Sequence, residues 1–159
     1  MNYFKLFNIP ETADIDLDKL DEQYFSIQKK YNLNQPDLQE ADRARLFSAL
    51  TQLNFGYKVL KSDVGRIEHL LSLKGINLDN YKDQIGIEIL KSVVESDEKI
   101  STCTEFSALE SMLLKYELSF NEKLKYIRSN FSISKDIVVA LIELKYLDKI
   151  ISNIKAKLL

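Results

Sequence analysis

A single cysteine, Cys103, occurs in 159 residues, so no internal disulfide can staple the chain. The Cys/His clusters that hold structural zinc are missing as well. Two prolines and four glycines are too few for the turn-rich connections of an all-β fold. With Leu, Ile, Lys and Glu abundant, that scarcity points to long helices and an all-α fold. An excess of one charge is also lacking: net charge is −2, with 10 basic against 11 acidic residues up to Leu78 and 12 against 13 beyond it. Neither half offers the basic face of a nucleic-acid binder. No stretch approaches the roughly 20 apolar residues of a membrane span, and Met1–Phe7 lacks the basic region and apolar run of a signal peptide or presequence. At 45% hydrophobic and 29% charged residues, the chain reads as soluble and long enough to bury a core.

The residues of catalysis are equally sparse. There is no Gly-rich phosphate loop, nucleophile elbow or paired-His metal motif. His69, the one histidine, stands beside two leucines without a second ligand at useful spacing, which suits a structural or surface role. Cys103 has no base adjacent in sequence and is not expected to be a nucleophile. No enzyme activity, cofactor or metal is expected.

What the chain does contain is helical periodicity. Leu17, Leu20, Tyr24, Ile27 and Tyr31 fall on one side of a helix, with Asp16 as its N-cap. Leu46, Leu50, Leu53, Tyr57 and Leu60 repeat the pattern after a segment containing Pro36, so the two pair as an antiparallel hairpin. A third helix, capped by Ser62 or Asp63, carries Ile67, Leu70, Leu71 and Leu73 and ends at Gly75. Polarity rises over Ile76–Asn80, where Asp79 can start another helix, and a boundary placed here divides the chain into residues 1–76 and 80–159. Beyond it, residues 85–100 read as a helix. Thr102-Cys103-Thr104-Glu105 resembles a capping box for the next, which carries Phe106, Leu109, Leu113, Tyr116, Phe120, Leu124 and Ile127. The last helix, from about Ser134, has a heptad seam at Ile137, Ala140, Leu144, Leu147, Ile151, Ile154 and Leu158. Three such helices close into a bundle. A second apolar stripe, Val139, Ile142, Tyr146 and Ile150, lies roughly 125° around the last helix. It either packs on a neighbouring helix or forms a partner surface.

Several stretches resemble one family collinearly from residue 3 to about 150. Tyr3-Phe4-Lys5-Leu6-Phe7-Asn8-Ile9-Pro10 looks like its opening Tyr-Phe-x-Leu-Phe-x-Leu-Pro. Leu53-Asn54-Phe55-Gly56-Tyr57-Lys58-Val59-Leu60-Lys61 is similar to Leu-Asn-x-Ala-Tyr-x-x-Leu-Lys. Arg66-Ile67-Glu68-His69-Leu70-Leu71-Ser72-Leu73-Lys74-Gly75 resembles Arg-Ala-Glu-x-Leu-Leu-x-Leu-x-Gly, and Leu144-Lys145-Tyr146-Leu147-Asp148-Lys149-Ile150 resembles Leu-Arg-Phe-Leu-Asp-Lys-Leu. The family is the HscB-type J-domain co-chaperones of iron–sulfur cluster assembly. The resemblance implies a J-domain over residues 1–76 and a scaffold-binding three-helix bundle over 80–159. It also implies two partners, a dedicated heat-shock-type chaperone ATPase (HscA-like) and an iron–sulfur scaffold protein (IscU-like), and a place in the bacterial cytoplasm.

One loop departs from the family. Its Gln-x-x-Tyr helix end runs into His-Pro-Asp, which stimulates the partner's ATP hydrolysis, whereas Gln28-Lys29-Lys30-Tyr31 is followed here by Asn32-Leu33-Asn34. Gln35-Pro36-Asp37 comes three residues later, but glutamine replaces histidine there too. An amide cannot become cationic as imidazole can, and Leu33 lacks the fixed φ of proline. Stimulation is therefore expected to be weak or absent. Asn32 to Asp37 can equally be an ordinary helix-ending loop with Asp37 capping the following helix. Position-matching to the family assigns Lys29, Lys30, Asn32, Leu33 and Asn34 to the chaperone, although Lys19, Lys29 and Lys30 lie among Asp18, Asp21 and Glu22. Scattered lysines of this kind also make a solvated helix face. The family's scaffold patch falls on Ile89, Leu90 and Val93, with Tyr146 from the last helix and Asp97 as a nearby acid, Val94 standing where the family has its acidic residue. Rival readings are an adaptor that has lost the chaperone link and a small helical enzyme.

Overall fold

The computed structural model describes all residues, Met1–Leu159. The chain is helical throughout: α1 (Tyr3–Leu6), α2 (Leu17–Gln28), α3 (Glu40–Lys61), α4 (Asp63–Leu73), a 3-10 helix (Leu78–Gln84), α5 (Ile87–Thr102), α6 (Phe106–Ser129) and α7 (Lys135–Leu158). Two compact units result, Met1–Leu73 and Lys74–Leu159.

In the N-terminal unit α2 and α3 pair, and α1 and α4 pack on α3. Asp16 caps α2 as expected, its carboxylate accepting from the Asp18 and Lys19 N–H groups. The facing stripes bury Leu20, Leu53 and Leu60 at the base of the hairpin, while Ile27, Tyr31 and Leu46 are only half-buried toward its tip. Within that base Tyr24 and Tyr57 stack at 4.1 Å between centroids. The Tyr57 hydroxyl and the Lys61 ammonium both donate to Asp21, at 2.8 and 2.6 Å. Hydrogen bonding from Lys61, then from Tyr57, holds the Asp21 carboxyl below its ordinary pKa. Asp21, counted in sequence among the acids of a solvated face, thus ties α2 to α3.

The corner from α3 to α4 is built around Arg66, 1% exposed. Its Nε donates to the Ala13 carbonyl at 2.8 Å, one terminal nitrogen donates to the Leu60 carbonyl at 2.7 Å, and the other pairs with Asp63. Leu60 lies in the last turn of α3, where carbonyls have no helical donor, so the guanidinium completes that helix end. Ser62 caps α4 by accepting from Gly65 N–H at 3.2 Å, which leaves Asp63 for the arginine. Gly75, with φ +80°, follows α4 as expected.

α1 is a single turn that sequence periodicity does not register. Asn2 caps it, and Asn8, at φ 51°, ends it in the left-handed region while Ile9 N–H reaches back to the Phe4 carbonyl. The Tyr3 ring occupies the space over Gly56, where a Cβ would lie 2.4 Å from it. His69 accepts the Tyr3 N–H at its Nε2 (3.1 Å) and its ring stacks near Phe4. Its role is structural.

The second unit gathers the 3-10 helix, α5 and α6 around α7. Its helix starts depart from expectation in three places. Asn77, not Asp79, caps the first element, accepting from the Asp79 N–H, and the element is a 3-10 helix. α5 begins at Ile87, after Gly86. The capping box does not form: Glu105 itself occupies the N-cap of α6, without a side-chain bond. α7 is buried on more than its heptad seam, since Ile142 and Ile150 of the second stripe, with Val138 and Leu141, are also enclosed. That stripe packs largely on neighbouring helices.

Two outcomes follow. Arg66→Ala strands the Ala13 and Leu60 carbonyls and should destabilise the N-terminal unit by about 3–5 kcal/mol, read from denaturant unfolding. His69 titrates below its ordinary 6.5, chiefly through burial and next through the positive N-terminus. As pH falls below that value the unfolded chain takes up a proton that the folded one resists. Stability is therefore full above it and declines as pH drops through the folded pKa. His69→Gln should remove this part of the slope in thermal melts between about pH 5 and 8.

Candidate functional site

Two surfaces carry the residues singled out in the sequence, one in each unit. At the hairpin tip α2 ends at Gln28, and the chain runs on through Lys30 N–H to Ile27 carbonyl and Tyr31 N–H to Gln28 carbonyl bonds. Lys29, Lys30, Asn32 and Asn34 are exposed, and Leu33 is half-buried. The Asn32 side chain turns inward on its own loop, accepting from Asn34 N–H at 2.9 Å. The Arg43 guanidinium donates to the Leu33 carbonyl at 3.2 Å. Leu33, Ala44 and Phe47 line a shallow hollow of about 350 Å³. Phe47, 66% exposed, leaves this apolar tip open to solvent.

Gln35, Pro36 and Asp37 form a separate exposed turn in which Leu38 N–H reaches the Gln35 carbonyl at 3.3 Å. Asp37 does not cap α3, contrary to expectation. The N-cap is Gln39, two residues on, and it makes no side-chain bond. A proline and an acid occur near the tip, but in a different turn from Asn32-Leu33-Asn34.

The second surface is a groove of about 300 Å³ among α5, α6 and α7. Ile89 and Val93 from α5 line it together with Tyr146 of α7, so three of the five residues assigned to the scaffold come together. Val93 also packs on the buried cluster of Ile100, Leu109, Ile150 and Ile154, which makes the groove floor continuous with the core. Leu90 and Asp97 do not line it. Leu90, 41% exposed, lies with Ile87 (67%) and Val94 (59%) at i, i+3 and i+7 spacing on the outer side of α5, and Asp97 is exposed beyond them.

Sequence reasoning missed the wall that α6 contributes. Tyr116, assigned to the core stripe, lines the groove, as do Lys115 and an ion pair between Lys123 and Glu143. Glu143 lies beside the apolar residues of α7 rather than on its polar back, the one signal that could have marked it. No group of three or more His, Cys, Asp or Glu side chains is placed to hold a metal ion. Cys103 is half-buried, with its thiol toward the Glu105 carbonyl. No helix is long and apolar enough to cross a membrane.

Comparison with known proteins places this geometry. No family model matches the sequence. A co-chaperone protein HscB homolog of Acinetobacter baumannii (strain SDF) is 29% identical over 161 residues, spanning 97% of this chain and 88% of the relative. A co-chaperone protein HscB homolog of Shewanella loihica is 33% identical over 110 residues, 66% of this chain and 64% of its own length. Among solved structures, the chaperone HscB from Vibrio cholerae superposes with a TM-score of 0.82 at 25% identity, covering 98% of this chain and 96% of that one. Human co-chaperone protein HscB reaches 0.87 at 21% identity, covering 99% and 82%, a likeness of fold. Similarity of sequence and of architecture therefore runs through both units, and over nearly its whole length the chain is similar to HscB-type co-chaperones.

Proposed function

We propose that this chain is a co-chaperone of iron–sulfur cluster assembly that holds an IscU-like scaffold protein on its C-terminal bundle and presents it to an HscA-like, Hsp70-type chaperone through its N-terminal hairpin. The observation that carries the reading is the match to HscB proteins over nearly the whole chain, J-like unit and bundle alike. Its chemistry is tethering. Ile89, Val93 and Tyr146 offer the scaffold an apolar groove floor, Leu90 adds an exposed contact on the outer side of α5, and Asp97 an exposed carboxylate. Burying such side chains at an interface supplies the affinity, and aromatic anchors usually dominate it. ATP hydrolysis belongs to the chaperone, and the chain itself is not an enzyme. Its place is the bacterial cytoplasm.

Toward the chaperone the tip presents Lys29, Lys30, Asn32, Leu33 and Asn34. With no imidazole, and with the Asn32 amide engaged by its own loop, this tip recruits the chaperone but stimulates it weakly. Retention of the hairpin favours this reading over an adaptor that has lost the chaperone.

Tyr146→Ala and Val93→Ala should each weaken binding of the cognate scaffold by about tenfold or more in titration calorimetry. Unchanged affinity in both would remove the groove from the reading. Single-turnover ATPase assays with the cognate chaperone test the tip. The triple change Asn32→His, Leu33→Pro and Asn34→Asp should raise acceleration well above that of the native chain. Strong native acceleration that the change fails to improve would show that the Asn-Leu-Asn loop suffices.

A further inference from the structure

The groove on the bundle has two unlike walls. One is apolar, made by α5 and α7 through Ile89, Val93 and Tyr146. The other comes from α6 and carries two ammonium groups, Lys115 and Lys123. These two lysines are in different electrostatic states. Lys123 is paired with Glu143, and both side chains are mostly buried. That pair is neutral as a unit and fixes the relation of α6 to α7. Lys115 is exposed and has an aromatic neighbour instead of a carboxylate: its Nζ lies 5.8 Å from the centre of the Tyr116 ring, which also lines the groove. The ammonium is thus held beside the groove as a net positive charge.

The serine hydroxyls of the groove do not alter this balance. Ser92 donates to the Glu88 carbonyl at 2.9 Å and Ser119 to the Lys115 carbonyl at 3.2 Å, both within their own helices. The sole carboxylate on the lining, Glu143, is taken by Lys123. What remains for an incoming group is an apolar floor and one uncompensated cation at its edge. Low-dielectric walls strengthen the field of such a charge relative to open water. A volume of about 300 Å³ admits a few side chains rather than a folded surface.

We infer that the groove receives a short segment of the scaffold carrying a large apolar side chain followed closely by a carboxylate, the apolar group resting on Ile89, Val93 and Tyr146 and the carboxylate pairing with Lys115. The inference rests on the scaffold-binding reading and adds to it the chemistry of the segment bound. Lys115 is then a specificity determinant: it selects acidic over basic segments of similar hydrophobicity.

The test titrates the full chain with its cognate scaffold at low and high salt, comparing the native protein with Lys115→Glu, Lys115→Arg, Tyr146→Ala and Lys125→Glu. Lys125 is an exposed lysine on the same helix that does not line the groove, so its reversal makes the same change in net charge elsewhere. The expected result is a loss of about tenfold for Lys115→Glu at low salt that shrinks at high salt. Lys115→Arg should retain most of the affinity and Lys125→Glu nearly all of it. If Tyr146→Ala weakens binding while Lys115→Glu does not, the inference is overturned and the scaffold-binding reading stands. Equal losses for Lys115→Glu and Lys125→Glu would also overturn it, by showing that only overall charge matters. Tighter binding by Lys115→Glu would reveal a basic segment in the groove. No effect from either Tyr146→Ala or Val93→Ala, or no scaffold binding at all, removes the groove from the underlying reading and the inference with it.

Discussion

The N-terminal unit depends on one buried cation. A guanidinium removed from water is unfavourable by several kcal/mol unless its donors are met. Arg66 meets them with a loop carbonyl at Ala13, a helix-end carbonyl at Leu60 and the Asp63 carboxylate. Each partner lies on a different stretch of chain: the segment before α2, the end of α3 and the start of α4. The directions in which α3 stops, α4 starts and the chain enters α2 are therefore set together. Around the same base, Tyr3 closes over Gly56 and gives its N–H to His69, which docks the single turn of α1. Four residues could not hold a helix unaided.

That concentration of contacts at the base explains the character of the tip. Past Tyr24 and Leu53 the facing stripes are only half-buried, and from Lys29 to Ala41 most side chains face water. Little of the fold's stability comes from Asn32-Leu33-Asn34, so that tripeptide can differ from His-Pro-Asp without disturbing α2 or α3. What holds the loop is local: an amide turned onto Asn34 and the Arg43 bond to the Leu33 carbonyl. The departure concerns the chemistry offered to a chaperone, not the architecture that offers it.

The long helices were legible because amphipathic spacing records burial directly. Leu20, Leu53, Leu60, Leu109, Ile127 and Leu144 all lie inside as their periodicity required. Where a start depended on side-chain geometry, residue type misled. Asp79, Asp37 and the Thr102–Glu105 box each have a capping composition, yet the caps fall at Asn77, Gln39 and Glu105. A cap needs an extended backbone at one particular residue, and tertiary packing selects that residue. Arg66 could be quoted as part of a motif, but its burial depends on a carbonyl 53 residues earlier, which no local pattern reveals.

The groove shows the same limit at a site. Helical phase could separate two apolar stripes on α7 but could not say which was covered, because that depends on α5 and the 3-10 helix lying beside it. Once they do, Ile142 and Ile150 become core and Tyr146 remains at the rim. The same packing brings α6 alongside, with Lys157 of α7 donating to the Ser101 carbonyl at the end of α5 to fix that helix against the bundle. Helix positions fixed by these contacts turn residues from three separate elements into one surface. Ile89, Val93 and Tyr146 share it through packing, and Lys115 reaches it because Tyr116, its neighbour in sequence, is drawn toward the core cluster. A residue assigned to the interior thus carries a surface charge into position, and the selectivity of the groove follows from the way its core is filled.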